Sequence, residues 1–288
     1  MNPQDFGAEL ITSRRNPLVK RLRDLHHAKG RREQGQLLLE GTHLLQEVVR
    51  LGLMPAELVA TERWLAGHGA LVAALPDGVR GHRVAELVLE AAASTAHPDG
   101  VVLTLELGAL PLPKAPEPTF VLVLDGLQDP GNLGTLIRTA LAAGVEQLWL
   151  ADGADPFQPK VLRASAGAAL ALPIRRLDRL ALQQQLAAAA AQGLQLAAAV
   201  PPGPGDGSSD GRSDASPIPY WQLDWRKPTA LLLGHEGAGL TPELLALASH
   251  RITVPHSPAV ESLNVAVSAA PLLLERMRQI SQQDSGDR

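Results

Sequence analysis

The sequence contains no cysteine, and this absence removes several classes of protein at once. A chain without thiols cannot be a disulfide scaffold, cannot bind a metal through thiolates and cannot use a cysteine nucleophile. No stretch reaches the roughly 18 consecutive apolar residues that a membrane span needs. The first residues, MNPQDFGAELITSRRNP, also lack the apolar core of a signal peptide. We therefore expect a cytoplasmic protein with no metal site and no membrane association.

Length and composition predict two compact α/β domains. The chain has 288 residues, of which 45% are hydrophobic, enough for two separate cores. Residues 1–107 read as a small α/β unit, and the proline-rich stretch 108–118 reads as an extended linker. Residues 119–288 alternate strands and helices, which predicts a mostly parallel sheet covered on both faces. Within them, 201–216 is rich in Gly, Ser, Pro and Asp and predicts a flexible loop.

The periodicity of apolar residues predicts the individual elements. Strands are predicted at 36–40, 56–61, 78–85, 101–107, 119–125, 147–152, 194–200, 229–234 and 251–255. Helices are predicted at 17–29, 42–52, 63–75, 85–93, 132–144, 159–170, 179–192, 241–249 and, with Pro271 inside it, from about 262 to 280.

Charge is unevenly distributed along the chain. The formal net charge is −4, yet between Arg14 and Arg32 eight basic residues accompany a single acid, Asp24. A block of this kind suits a polyanionic partner, although a solvated helix face has the same pattern.

The stretch DGLQDPGNLGTLIRTA, residues 125–140, follows an apolar strand and does not match the familiar phosphate loops. Gly126 and Gly131 have the spacing of a P-loop, but Asn132 and Leu133 stand where that loop needs Lys and then Ser or Thr. A dinucleotide fingerprint needs a third glycine, which is missing after Gly131 and Gly134. This turn must therefore serve another ligand.

Three segments share one design, in which a strand leads through a polar or glycine-rich turn to a helix. They are DPGNLGTLIRTA (129–140), LLLGHEGAGLTPEL (231–244) and ITVPHSPAVESLNVAVSAA (252–270). The carboxyl ends of parallel strands lie along one edge of a sheet, so that these turns can converge on one crevice. We expect the functional site at that edge.

Taken together, the three segments resemble the three motifs of the SpoU (TrmH) branch of the SPOUT methyltransferases, over about 119–279. The residues that carry the resemblance are Asn132, Gly134 and Arg138 in the first motif, Gly234, Glu236, Gly239 and Leu240 in the second, and Ser262, Leu263 and Asn264 in the third. The sequences SRRNPLVKRLRDL and LLLEGTHLLQEVV are similar to a ribosomal-protein-like RNA-binding domain found in that family.

The resemblance implies a fold and an activity. The fold would be a C-terminal parallel-sheet SPOUT domain with a trefoil knot, preceded by a small α/β RNA-binding domain. The activity would be transfer of a methyl group from S-adenosylmethionine to a ribose 2'-hydroxyl, in ribosomal RNA rather than transfer RNA, by a homodimer. Two alternatives stay open, a transfer RNA 2'-O-methyltransferase and a non-catalytic RNA- or ribosome-binding protein on the same fold.

The resemblance also implies roles for individual residues. Arg138 would hold an RNA phosphate and polarise the 2'-hydroxyl, a task that suits a guanidinium because it stays protonated. Asn132, Ser262 and Asn264 would support it, while Glu236 would be either a base or a dimer-interface anchor for the arginine. Ser262 could instead be only the N-cap of the last helix.

Three further sets of residues complete the expected sites. Residues expected to bind the cofactor are Leu233, Gly234, His235, Gly239, Ile252, Val254, Pro255, Ser262 and Leu263. Residues expected to bind RNA are Arg14, Arg15, Lys20, Arg21, Arg23, Arg31 and Arg32. An apolar face of the last helix expected to form the dimer includes Val265, Ala269, Leu272 and Leu273. In the third segment, His256, Pro258 and Ala259 depart from the Met and Gly that are common in the family.

Overall fold

The computed structural model describes residues 6–113, 117–202 and 216–286, and the chain divides into two compact units. The first unit comprises Met1–Pro111 and Asp155–Ala171, and the second comprises Leu112–Ala154 and Leu172–Arg288. Most of the predicted flexible loop 201–216 lies outside the described residues. In the described ranges, no helix is both long enough and apolar enough to cross a membrane.

The elements alternate along the chain. The strands are β1 Phe6–Ile11, β2 Gln36–Glu40, β3 Pro55–Thr61, β4 Arg80–Val84, β5 Val101–Glu106, β6 Phe120–Asp125, β7 Gln147–Ala151, β8 Ile174–Leu177, β9 Gln195–Ala199, β10 Ile218–Pro219, β11 Thr229–Leu233 and β12 His250–Thr253. The α-helices are α1 Pro17–Asp24, α2 Ala28–Gln34, α3 Thr42–Arg50, α4 Glu62–Gly67, α5 Gly69–Ala73, α6 Glu86–Ala92, α7 Pro130–Ala142, α8 Pro159–Ala164, α9 Arg179–Ala191, α10 Pro242–Leu247 and α11 Val265–Gly286.

The first unit is built on a five-stranded mixed sheet in the order β1-β4-β3-β5-β2. Strand β5 runs antiparallel to β2 and β3, and the remaining pairs are parallel. Apolar side chains of α1 and α6 pack with residues of the sheet in one core, which includes Leu22, Val59 and Leu89. The sequence therefore predicted a small α/β unit correctly.

Residues 155–171 belong to this first unit although they follow β7 of the second. Helix α8 packs against β2. Arg163 of that helix lies 3.3 Å from the Glu40 carboxylate and donates to Ser94 Oγ at 2.9 Å. Asp155 accepts from the guanidinium of Arg31 at 2.6 Å. The first unit is thus assembled from two separate stretches of chain, one of which lies within the predicted domain 119–288.

The second unit is built on a seven-stranded sheet in the order β10-β12-β9-β11-β6-β7-β8. Every pair of neighbouring strands is parallel. Val121 and Val123 pack in a core with residues of α9 and α10, and the intervening Leu122 and Leu124 point to the opposite face because side chains alternate along a strand. Helices α7 and α11 pack on each other. The predicted parallel sheet is confirmed.

Three predicted helices are wrong in their extent. The helix predicted at 17–29 is divided into α1 and α2, which approach so closely that a Cβ on Gly30 would lie 2.0 Å from the Asp24 carbonyl oxygen. The helix predicted at 63–75 divides at His68 into α4 and α5. The helix predicted at 159–170 ends at Ala164, because Ala166 and Gly167 have positive φ values of 49° and 82°.

Candidate active site

Three loops follow the carboxyl ends of strands in the second unit and contain the predicted site residues. We name them the β6 loop (126–129), the β11 loop (234–241) and the β12 loop (254–264). Strand β11 lies between β6 and β9, and β12 is the other neighbour of β9. Because all four strands are parallel, the three loops emerge at the same edge of the sheet.

The β6 loop ends in a capped helix. The Asp129 carboxylate accepts a hydrogen bond from the Asn132 backbone N–H at 2.7 Å, and Pro130 is the first residue of α7. Proline is favoured there because its missing N–H would have no helical partner. The predicted start at 132 is therefore wrong by two residues, and Asn132 lies in the first turn rather than at the opening of the helix.

The β11 loop closes into a tight turn. The backbones of His235 and Gly239 exchange hydrogen bonds of 3.0 and 2.9 Å. Gly234 is required at the base of this turn, because a Cβ there would lie 2.1 Å from the carbonyl carbon of Gly239. His235 Nδ1 accepts from the backbone N–H groups of Gly237 and Ala238 at 2.9 and 3.2 Å. These hydrogen bonds within the turn stabilise its tip, where Glu236 lies.

Glu236 joins the β11 loop to the β6 loop. Its carboxylate accepts from the backbone N–H groups of Gln128 and Asp129, both at 3.2 Å, and from the side-chain amide of Asn132 at 3.3 Å. Partial burial opposes ionisation of Glu236, but hydrogen bonds from its own and these two backbone N–H groups and from Asn132 outweigh it and hold its pKa below the ordinary value. The carboxylate is therefore ionised, and its oxygens already accept hydrogen bonds from the β6 loop and Asn132.

Asn264 links the β12 loop to Asn132, the residue that donates to Glu236. Its side-chain oxygen accepts from the N–H groups of Ala266 and Val267 at 2.9 and 3.2 Å, as the cap of α11. Its side-chain amide donates to the Asn132 side-chain oxygen at 3.0 Å. The last helix therefore begins at Val265, and the interpretation of Ser262 as its N-cap is wrong. Glu236, Asn132 and Asn264 form one hydrogen-bonded chain that connects the β11 and β12 loops through the first turn of α7.

The other two predicted catalytic residues are not part of this chain. Arg138 lies on α7 with an exposed side chain, and within the described ranges it has no hydrogen bond or ion pair. Ser262 is exposed in the β12 loop and has no side-chain hydrogen bond to any described residue. Arg138 and Glu236 form no ion pair with each other within the described part of a single chain.

The residues expected to bind a cofactor surround the same edge. Leu233 and Ile252 are buried at the ends of β11 and β12, so that only their backbones can face a ligand. At Gly239 a Cβ would meet no atom within 4 Å, so there is open space beside this part of the turn. Val260 and Leu263 of the β12 loop expose apolar side chains, 48% and 37% accessible. The β11 loop thus offers open space and the β12 loop offers apolar surface at the same edge of the sheet.

Sequence reasoning missed Gln128, Asp129 and Asp125 as parts of this site. Asp125 is buried at the end of β6 and accepts from the Thr241 N–H of the β11 loop at 3.0 Å. For Asp129 the sequence did carry a signal, since Asp followed by Pro is a common helix start. No local pattern indicates the contacts of Gln128 and Asp125, which depend on loops brought together by the fold.

In the first unit, three of the seven residues expected to bind RNA have partners within the chain, although Arg14 stays exposed while its Nε donates to the Leu87 carbonyl oxygen at 3.2 Å. Arg31 is 4% exposed, pairs with Asp155 and donates to the backbone oxygens of Leu25 and His26, which corrects its assignment as an RNA contact. Arg21 donates to the buried carboxylate of Glu57 at 2.5 Å. The other five have exposed side chains, namely Arg14, Arg15, Lys20, Arg23 and Arg32.

Two more basic side chains, which the sequence did not indicate, lie close to the Glu57 carboxylate. Arg80 lies 3.1 Å from its carboxylate, and His82 lies 3.8 Å from it. Arg80 pairs in register with Glu57 on neighbouring strands, and Arg21 reaches the same carboxylate from α1. The basic surface of the first unit therefore extends from α1 to β4.

Comparison with known proteins identifies relatives along the whole chain. The profile of the SpoU rRNA Methylase family matches residues 119–274, and that of the MRM3-like substrate binding domain matches residues 16–103. An uncharacterized tRNA/rRNA methyltransferase of Synechocystis sp. is 44% identical over 97% of both chains. The 23S rRNA (guanosine(2553)-2'-O)-methyltransferase RlmP of Bacillus subtilis is 32% identical over 91% of this chain and 97% of that protein. The AdoMet-bound rRNA methyltransferase from Sinorhizobium meliloti superposes with a TM-score of 0.76, at 30% identity, covering 94% of this chain and 98% of that one.

Proposed function

Because the chain belongs to the SpoU rRNA methylase family, we propose that it transfers the methyl group of S-adenosylmethionine to a ribose 2'-hydroxyl of ribosomal RNA. The observation that carries this proposal is the chain of hydrogen bonds from Glu236 through Asn132 to Asn264. It joins the polar residues of all three motifs at one edge of the sheet, where a substrate and a cofactor can meet.

The residues present fit S-adenosylmethionine. The open space at Gly239 and the exposed side chains of Val260 and Leu263, on two loops at the same edge of the sheet, offer a surface for an adenosyl group. The ionised carboxylate of Glu236 places negative charge at the edge of the same loop, where a sulfonium cation is favoured. The cofactor supplies an already activated methyl group, so that the protein needs to position the acceptor and control charge.

Arg138 is the residue to which we assign activation of the acceptor. A ribose 2'-hydroxyl is a weak nucleophile until the developing negative charge on its oxygen is stabilised, and a guanidinium does this without losing its own proton. As the hydroxyl oxygen gains its bond to the methyl carbon, it releases its proton to solvent. Arg138 is exposed and has no partner among the described residues, so its donors are available to a phosphate and a hydroxyl.

Glu236 acts in positioning rather than as the general base. A base must bind the proton it removes, and a lowered pKa makes a carboxylate weaker in that role. Three hydrogen bonds from Gln128, Asp129 and Asn132 also occupy its oxygens. Through the bond to Asn132, Glu236 fixes the orientation of the amide whose oxygen meets Asn264.

The first unit supplies RNA affinity in this proposal. Its match to a substrate binding domain and its five exposed basic side chains between Arg14 and Arg32 support this role. Arg80, beside Arg21, adds charge to the same unit. Phosphate contacts made by such side chains give affinity without reading the sequence, so recognition of one nucleotide requires further contacts.

The proposed enzyme is a homodimer, but the face expected to form the dimer is not the one available. Ala269, Leu272 and Leu273 are buried within the chain itself. The apolar side chains that α11 exposes are Val267, Leu274, Met277 and Ile280. A two-fold interface through these residues would cover them. The trefoil knot and the cytoplasmic location stay predictions.

One experiment tests the activity and its substrate class together. Ribose methylation is mapped in ribosomal and transfer RNA from cells with and without the gene, and purified protein is then supplied with the unmethylated RNA and labelled S-adenosylmethionine. We expect one ribosomal 2'-O-methyl mark to disappear and to be restored in vitro. Loss of a 2'-O-methyl mark in transfer RNA alone would show that the substrate is transfer RNA. Binding of RNA without methyl transfer would refute the proposed enzymatic activity.

A further inference from the structure

Two carboxylates link the β6 and β11 loops, and each accepts hydrogen bonds from the backbone on the other side. Glu236, from the β11 loop, accepts backbone N–H groups of Gln128 and Asp129 in the β6 loop. Asp125, the last residue before the β6 loop, accepts the backbone N–H of Thr241 at the end of the β11 loop. Each loop therefore supplies the acid that holds the backbone of the other.

Asp125 is a buried carboxylate with few partners, which is unusual for an acid that does not take part in the reaction. Its residue is 2% exposed, and one carboxylate oxygen is buried without a hydrogen bond among the described residues. The nearest cation to that oxygen is Arg179, with Nη2 at 3.9 Å, and Arg179 donates through Nε to Asp152 at 2.6 Å. Burying an acid with one hydrogen bond is unfavourable, and a leucine of similar size would avoid that desolvation.

The bond from Thr241 is well placed to fix the β11 loop. The loop starts at Gly234, where no Cβ is tolerated, and closes through His235 and Gly239. Its far end is held by burial of Leu240 in the core and by the Thr241 N–H, since the side chain of Thr241 makes no capping hydrogen bond. A shift of Thr241 would be transmitted through this closed turn to Glu236 at its tip.

We propose that Asp125 is a positioning residue, which sets the β11 loop through Thr241 so that Glu236 reaches Asn132 and the turn at Gly239 stays open to the cofactor. The inference rests on the proposed function in one respect, that this loop is part of the S-adenosylmethionine site. Neither the motif resemblance nor the matches to relatives assigns Asp125 a role. Its effect is on the affinity for cofactor and on the rate of transfer, through the loop and without contact with the reacting atoms.

The test separates the hydrogen bond from the charge. In Asp125→Asn the amide oxygen still accepts from Thr241, whereas in Asp125→Leu no acceptor is left. We expect calorimetry to give an affinity for S-adenosylmethionine within about twofold of wild type for Asn, and at least about tenfold weaker for Leu, the usual consequence of leaving a buried donor unpaired. Single-turnover transfer should follow the same order.

A second variant removes the same bond from the other side. Thr241 has φ −63°, which proline adopts, so Thr241→Pro deletes the N–H and leaves Asp125 in place. It should weaken cofactor binding as Asp125→Leu does, at temperatures where melting curves show both variants folded. Asp152→Asn is the control, because it removes the partner of Arg179 but leaves the bond to Thr241, and it should bind like wild type.

The outcomes distinguish this inference from the proposed function. If wild-type protein binds no S-adenosylmethionine, the proposed function fails. If wild type binds it and Thr241→Pro and Asp125→Leu, both folded, bind it equally well, Asp125 is not a positioning residue. Weak binding in Asp125→Asn and Asp152→Asn together would mean that the charge pair acts and the hydrogen bond does not, which would also overturn the proposal.

Discussion

The side-chain amide of Asn264 donates to the side-chain oxygen of Asn132 at 3.0 Å, across a sequence separation of 132 residues. The same Asn264 caps α11 through its oxygen, so that one side chain both starts a helix and meets the first motif. Asn132 in turn donates to Glu236. An asparagine suits the middle of this chain because it carries both a donor and an acceptor, which neither aspartate nor leucine offers.

Substitution of Asn264 should separate its two roles. Asn264→Asp keeps an acceptor for the cap but replaces the amide donor with a second carboxylate facing Asn132. We expect urea denaturation to show a free energy of unfolding within about 0.5 kcal/mol of wild type, because aspartate caps helices as well as asparagine. Methyl transfer should fall at least about tenfold. Asn264→Ala should lose transfer and also about 1 kcal/mol of stability. Full activity in the aspartate variant would show that the link to Asn132 is dispensable.

Arg138 should be required for transfer but not for cofactor binding. We expect both Arg138→Ala and Arg138→Lys to lose most single-turnover methyl transfer, the lysine because it lacks the planar fork of donors. Calorimetry should show unchanged S-adenosylmethionine affinity in both. Arg226→Ala is a matched control on the same unit, since Arg226 is an exposed arginine in an ion pair with Asp224, worth about 0 to 1 kcal/mol. Near-normal turnover in Arg138→Ala would refute the catalytic assignment.

The sequence predicted the central strands but missed three of the four edge strands of the two sheets, the exception being β2. Strand β2 lies at the predicted 36–40, and β6, β7, β9 and β11 lie within one residue of their predicted limits at each end. Strands β1, β8 and β10 were not predicted, and each is an edge strand of its sheet. An edge strand needs fewer apolar residues because one side faces solvent, so its sequence carries a weaker signal.

The sequence indicated the motif residues of the site but not the residues that hold its loops in place. Asn132, Glu236 and Asn264 were indicated by resemblance, and the structure brings them together. Asp125 was missed because its partner Thr241 is 116 residues away and no local pattern announces the contact. Arg31 was misassigned because charge patterning cannot distinguish a solvated arginine from one buried against Asp155.

Glu57 should make the stability of the protein depend on pH in the acid range. Burial opposes its ionisation, but His82, Arg21 and Arg80 outweigh burial and lower its pKa from the ordinary 4.5 to about 2. A lowered pKa in the folded state gives stability that is complete above about 4.5 and lost as the pH falls towards 2. We expect roughly 2 kcal/mol, discounted because Arg80 is largely exposed. Urea denaturation of wild type and Glu57→Gln between pH 6 and pH 3 should converge as the pH falls, and a constant difference between them would contradict this account.

Arg31 and Lys20 should behave oppositely although both lie in the basic block. Lys20 is exposed, so Lys20→Gln should weaken RNA binding and reduce the slope of log affinity against log salt by about one, without loss of stability. Arg31→Gln removes the buried guanidinium that pairs with Asp155 and donates to the backbone oxygens of Leu25 and His26, and it should lower the free energy of unfolding by about 3 kcal/mol. Filter binding over a range of salt and thermal melts would measure both effects. These point variants are preferable to deletion of residues 1–107, which would remove the packing partners of 155–171.

The exposed apolar side chains of α11 should lie in a dimer interface. Val267 and Leu274 are seven residues apart and Met277 follows three residues later, so they occupy one side of the helix. A charge placed among them would be buried without a partner, so Leu274→Glu should convert the protein to monomers in sedimentation at micromolar concentration. Gln184→Glu is the control, because residue 184 is exposed on a different helix, α9. If wild type sediments as a monomer at this concentration and retains methyl transfer, the apolar side of α11 is not an interface and the homodimer is refuted.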